Sequence, residues 1–113
     1  DKLANQVLDI IINTNLKNIE EETIIEVLEN ASNESYRVYI ISLLILEYDY
    51  DDNKIAELLS LLGGKYIDIA ERSKHPVLEE TKWNIKLAGA LKHKRFISSA
   101  KEDKDGIRIY PKR

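Results

Sequence analysis

Along most of the chain apolar residues recur at three- and four-residue intervals, the spacing of helices that bury one face. Leu3, Val7, Leu8, Ile11 and Ile12 predict an amphipathic helix over 2–15, loosened by Asn13 and Asn15. Asn18 followed by Glu21 has the form of a capping box, and Glu20, Glu21 and Glu22 suit the positive end of a helix dipole. A helix over 19–30 follows, with Ile24, Ile25, Val27 and Leu28 as its apolar face. Asn30, Ser32 and Asn33 mark a turn, because their side chains compete for backbone hydrogen bonds. Residues 35–48 are apolar on nearly every side, which predicts a central helix; their β-branched content leaves a buried strand as the alternative.

Asp49, Asp51 and Asp52 invite a calcium-loop reading, but that loop needs Gly at its sixth position and Glu at its twelfth, where this chain has Lys54 and Ser60. A helix cap is the simpler account, since Ile55, Leu58, Leu59 and Leu62 follow at helical spacing and Gly63 can end the helix. Gly63 and Gly64 then form a tight corner or a hinge. Tyr66, Ile67, Ile69 and Ala70 predict a short helix over 65–74, and Pro76 suits the first turn of another, running over 77–95. Phe96–Ala100 and Ile107–Tyr110 alternate as strands do, joined by a polar stretch that ends in Asp105-Gly106, and Pro111 closes the second strand.

Three helices followed by a hairpin, the third helix running directly into a strand, is the order of a winged helix. The segment Leu87-Ala88-Gly89-Ala90-Leu91-Lys92-His93-Lys94-Arg95-Phe96-Ile97 resembles the end of a winged-helix recognition helix, with a basic turn and an aromatic residue entering the wing. Ile107-Arg108-Ile109-Tyr110 looks like the returning strand. The resemblance covers about 53–113 and is similar in flavour to the winged helices of phage and mobile-element replication proteins. It departs in lacking a glycine before Phe96 and in three N-terminal helices without a counterpart. It implies DNA binding, in replication or transcription regulation, with 77–95 as recognition helix and 96–110 as wing. The expected fold is therefore mainly α with a small C-terminal β-hairpin: an acidic helical segment over 1–50 packed on the core, and a winged-helix-like region over 51–113, in one compact domain.

A helical projection gives a separate reason to look at 77–95, since each residue advances about 100° around the axis. Trp83, Leu87, Ala88, Ala90 and Leu91 gather toward the core, while Lys82, Lys86, Gly89 and His93 form one outward stripe. Lysines there could meet phosphates or purine edges, and a glycine permits close approach to a groove wall; an ordinary solvated face is the alternative. Lys92, Lys94 and Arg95 continue the basic surface into the turn, and Lys101, Lys104 and Arg108, with Lys112 and Arg113 beyond, could hold the phosphate backbone. Glu102, Asp103 and Asp105 among them would repel it.

Charge sharpens this picture. Residues 1–64 carry 4 Lys or Arg against 13 Asp or Glu, whereas residues 65–113 carry 13 against 7. The net charge of −3 thus hides an acidic part joined to a basic one, which favours a phosphate-bearing partner for the second. DNA is the expected partner, with a protein partner or a second copy meeting the acidic N-terminal half. Docking of protein is the competing function, for which Ile85, Val77 or Leu78 would supply an exposed apolar patch.

Other chemistry finds little support. With no cysteine, disulfides and thiolate zinc sites are impossible, and two histidines, His75 and His93, make a poor metal site. Neither stands in a nucleophile–base arrangement, and Gly63-Gly64-Lys65 lacks the rest of a phosphate loop, so no enzyme and no cofactor are expected. No apolar run approaches the ~20 residues that span a bilayer and no secretory signal is evident, so a cytoplasmic location without membrane contact is expected. The absence of Met and the start at Asp1 are expected of a domain excised from a larger protein.

Overall fold

A computed structural model describes residues 2–13 and 18–112. The predicted end of the first helix over 14–15, and Arg113, lie outside the described residues. Six helices and three strands follow in the order α1 (Lys2–Ile12), α2 (Glu21–Asn30), α3 (Glu34–Glu47), α4 (Asp52–Leu62), α5 (Gly64–Glu71), β1 (Val77–Leu78), α6 (Lys82–His93), β2 (Ile97–Asp103) and β3 (Gly106–Pro111). The fold is mainly helical with a small antiparallel sheet at its C-terminal end, as the apolar spacing predicts.

Local chemistry sets most of these boundaries. The Asn33 side chain accepts from Tyr36 N at 3.1 Å and the Asp51 side chain from Lys54 N at 2.8 Å, so each satisfies an amide that the first turn of its helix leaves unpaired. The acidic stretch before α4 is thus a helix cap. Asn18 is not one: Glu20 precedes α2, and no side chain caps it. Gly63 ends α4 with φ 71° and turns the chain straight into α5, the tight corner rather than the hinge.

One cluster of buried side chains runs from Ile11 through Ile24 and Leu28, along Val38, Ile41 and Ile45, to Leu87, Leu91, Phe96 and Ile109. Helix α3 is central to it, with α6 as its main packing partner, and its weak amphipathicity follows from being covered on most sides. Of the apolar stripe predicted for the first helix, Ile11 is buried and Val7 half-buried, but Leu3 remains 68% exposed.

The largest departure lies at 76–81, where a single helix over 77–95 is expected. Val77 and Leu78 instead form a short strand opposite Arg108 and Ile107, and the Pro76 carbonyl accepts from Ile109 N at 2.9 Å. Proline suits this as well as a first helical turn, since its missing N–H is also harmless at a sheet edge. Helix α6 starts only at Lys82, where the Thr81 hydroxyl accepts from Asn84 N at 3.1 Å. The sheet order is β1-β3-β2 and all pairs are antiparallel, so β2 is an edge.

At its C-terminus α6 closes with Phe96 N donating to Leu91 O at 2.9 Å and Arg95 N to Lys92 O at 3.0 Å, a Schellman motif. Arg95 takes the left-handed conformation, φ 60°, where the sequence lacks the usual glycine. Phe96, fully buried, follows directly and starts the hairpin against the core.

Candidate interaction surface

Helix α6, the turn after it and the hairpin carry the residues proposed for nucleic-acid contact apart from Lys112, beyond β3, and Arg113, outside the described residues, but they do not form one basic face. Lys82 Nζ lies 4.5 Å from the Trp83 ring centroid, and Lys86, half-buried, lies 5.6 Å from that of Tyr39. Tyr39 and Trp83 meet edge to face at 5.1 Å across the α3–α6 seam. The first half of the outward stripe is therefore folded over aromatic rings, an attraction of cation for ring quadrupole. Gly89, His93, Lys92 and Arg95 are exposed, and Lys94 half-exposed, toward the end of the helix. Trp83 itself is half-buried at the edge of the core.

In the wing Arg108 is committed to acids of its own hairpin. Its guanidinium pairs with Asp103 at 3.3 Å and Asp105 at 3.8 Å. The Asp105 amide donates to the Asp103 carboxylate at 2.8 Å, and this bond, with Arg108, holds that carboxyl below its usual range. Lys101 and Lys104 are exposed, and Lys101 Nζ sits 5.6 Å from the Tyr110 centroid.

Between α6 and the hairpin runs a groove of about 170 Å³, lined by Ile85, Ala88, Gly89, Lys92, Ala100 and Glu102 with Ile107 at its floor. Ile85 is 45% exposed, whereas Leu78 is buried and Val77 half-buried because β1 draws both into the sheet. A Cβ added to Gly89 meets nothing within 4 Å, so the groove is open above it. At its rim Glu80 and Glu102 face each other, and the contact pushes the Glu80 carboxyl above its ordinary value.

A second cavity, about 450 Å³, lies between the start of α3, the α4–α5 corner and β1. Most of its polar groups are bonded within the protein. Tyr66 donates to Asn84 Oδ1 at 2.6 Å, Asn84 Nδ2 to Glu79 O at 2.8 Å, Lys65 Nζ to Val77 O at 2.8 Å, and Arg37 to the Leu61 carbonyl. Burial, and then the Glu34 carboxylate, push the Tyr66 phenol up to about 12. This network holds the turn into α6, and beside it Arg37 Nε is buried without a hydrogen-bond partner. Among the described residues no group of His, Asp and Glu could hold a metal ion. His75 is tilted against Tyr110 with ring centroids 5.0 Å apart, and with β1 between them it shares no helix with His93.

Sequence reasoning found Ile85 and Gly89 but not the partners that make them a groove. Ala100, Glu102 and Ile107 join them only through the strand register, for which the alternation in the two strand segments was the available signal.

No family model and no solved structure matches the chain. It is 35% identical over 74 residues to an uncharacterized membrane protein, YobI, of Bacillus subtilis (strain 168). That alignment takes in 65% of this chain and 6% of the relative, so the chain spans only a small piece of the protein it resembles. The relative overturns the expected cytoplasmic location, the expected lack of membrane contact, and DNA as the expected partner, together with a role in replication or transcription. The expectations of location and membrane contact took the absence of a spanning segment in 113 residues to speak for a whole protein, and those of DNA and its processes rested on the resemblance and the basic C-terminal part. No helix among the described residues is long and apolar enough to cross a membrane, yet the longer relative is a membrane protein.

Proposed function

We propose that this chain is a non-catalytic docking module of a larger, membrane-associated protein, and that it receives an extended segment of a protein partner along the outer edge of β2. The groove between α6 and the hairpin carries this reading: Ile85, Ala88, Gly89, Ala100 and Ile107 give it an apolar lining, beside a strand whose outer edge has no backbone partner among the described residues. Unpaired strand amides and carbonyls are a template for another strand, and apolar pockets beside them select alternate side chains.

Charge narrows the occupant. The crowded carboxylates Glu80 and Glu102 favour a lysine or arginine of the incoming segment, while Lys92 favours an acidic residue nearby. The Lys101-Glu102-Asp103 run also discourages indiscriminate edge pairing, so the segment must match it. The membrane association comes from the relative's description alone.

Display selection of short peptides on the immobilised protein, followed by amide NMR, tests the reading. Selected peptides should alternate apolar and charged residues and shift the amides of 97–103 and of the outer face of α6. Ile85→Glu should weaken them at least about tenfold, as expected for an apolar anchor. Peptides that perturb another surface, or that bind the variant equally well, would sink it.

A further inference from the structure

The sheet face turned away from α6 carries a separate depression of about 520 Å³, lined by His75, Ser98, Ser99, Lys101, Tyr110 and Lys112, with Pro111 at its edge. No carboxylate lines it, although the chain has 20 Asp and Glu in 113 residues. A bulge shapes it. Ile97 stands opposite Pro111 and Ser99 opposite Tyr110, so Ser98 has no counterpart on β3. Consecutive residues of a regular strand point to opposite faces; the inserted residue re-aims the chain so that Ser98 and Ser99 both line the depression.

The cations around it are available. Arg108 is occupied by Asp103 and Asp105, so it offsets part of their charge and is not itself available. Lys101 and Lys112 have no ion-pair partner among the described residues, and Tyr110 lies against both the His75 ring, at 5.0 Å, and Lys101 Nζ, at 5.6 Å. Two ammonium groups and two or three hydroxyl donors around an open, acid-free hollow suit a phosphate group.

We infer that this depression binds the phosphate of an anionic lipid headgroup, holding the outer sheet face against a membrane surface; the inference rests on reading the chain as part of a membrane-associated protein. The ammonium groups of Lys101 and Lys112 supply the attraction, and Ser98, Ser99 and Tyr110 donate to the phosphate oxygens. The site is shallow, so a single headgroup is held weakly and a leaflet presenting many is held better.

Co-sedimentation with phosphatidylcholine vesicles, with and without phosphatidylglycerol, tests it. The protein should partition only onto the mixed vesicles, and Lys101→Ala plus Lys112→Ala should weaken this by about thirtyfold, the loss expected for two lysines at an anionic surface. Both lysines are exposed, so the variant keeps its fold. Equal binding to both vesicle types, or no effect of the double variant, overturns the inference. Two outcomes redirect it and equally overturn it: inorganic phosphate that shifts the Ser98 and Ser99 amides without any vesicle binding, and preference for duplex oligonucleotide at equal phosphate concentration. Ile85→Glu acts on the other side of the sheet and should leave vesicle binding unchanged, so failure of peptide docking and failure of lipid binding are told apart.

Discussion

Tyr66 and Asn84 hold the polar joint on which α6 is hung. The phenol is nearly buried, and burial with the adjacent Glu34 raises its pKa from 10.0 to about 12, so the fold favours the neutral, donating form. The stability this brings is complete below the unfolded value near 10 and is lost as the pH climbs through about 12. Tyr66→Phe should therefore cost about 1–3 kcal/mol at neutral pH, by leaving the Asn84 carbonyl oxygen unpaired. Urea unfolding of the variant should also show a shallower loss of stability between pH 10 and 12 than the wild type; parallel alkaline limbs would contradict this. None of it is visible in the sequence, where Tyr66 reads as an apolar helix residue and Asn84 as an unremarkable polar position. Their 18-residue separation is closed only by tertiary packing. Gly106 illustrates the opposite case. Its place after Asp105 announces a hairpin, and the structure adds that φ is 134° and that a Cβ would stand 2.3 Å from Leu78 O, a contact belonging to a strand the sequence hides.

Helix α4 was legible because its apolar spacing and its ends agree, at Asp51 and Gly63. Strand β1 was not: two residues are too short for an alternating pattern, and Pro76 fits a helix start and a sheet edge equally well. That one misreading moved the start of α6 from 77 to 82 and exchanged a supposed outward apolar trio for Ile85 alone. It also means that a strand separates α5 from α6, where the resemblance to a winged helix expects two helices joined by a turn. Gly89 now has a clearer meaning at this scale. Within a helix it is poorer than alanine by about 1 kcal/mol, and open space surrounds the position of its missing side chain. Gly89→Ala should raise the thermal midpoint and the free energy of unfolding by about that amount, while reducing capture of the peptides selected on the groove. A variant that gained stability and bound equally well would show that the groove does not need its glycine.

Across the whole molecule the acidic and basic parts are stitched together by α3 and α6. A region over 51–113 cut free would leave α6 without the apolar surface of α3, its main packing partner. We expect that fragment to show no cooperative unfolding transition and poor amide dispersion, in contrast to the whole chain; a well-dispersed spectrum would place the essential packing within the C-terminal part. The sequence indicated both the apolar character of α3 and the core side of α6, but not that each would be the other's main partner, because nothing local encodes the pairing of elements some 40 residues apart. The edge-to-face contact of Tyr39 with Trp83 lies on that seam. Trp83 is the chain's single tryptophan, so the indole is a built-in optical gauge of whether the two parts are joined: its emission should redden and gain access to aqueous quenchers whenever α3 and α6 separate, with no label and no altered residue.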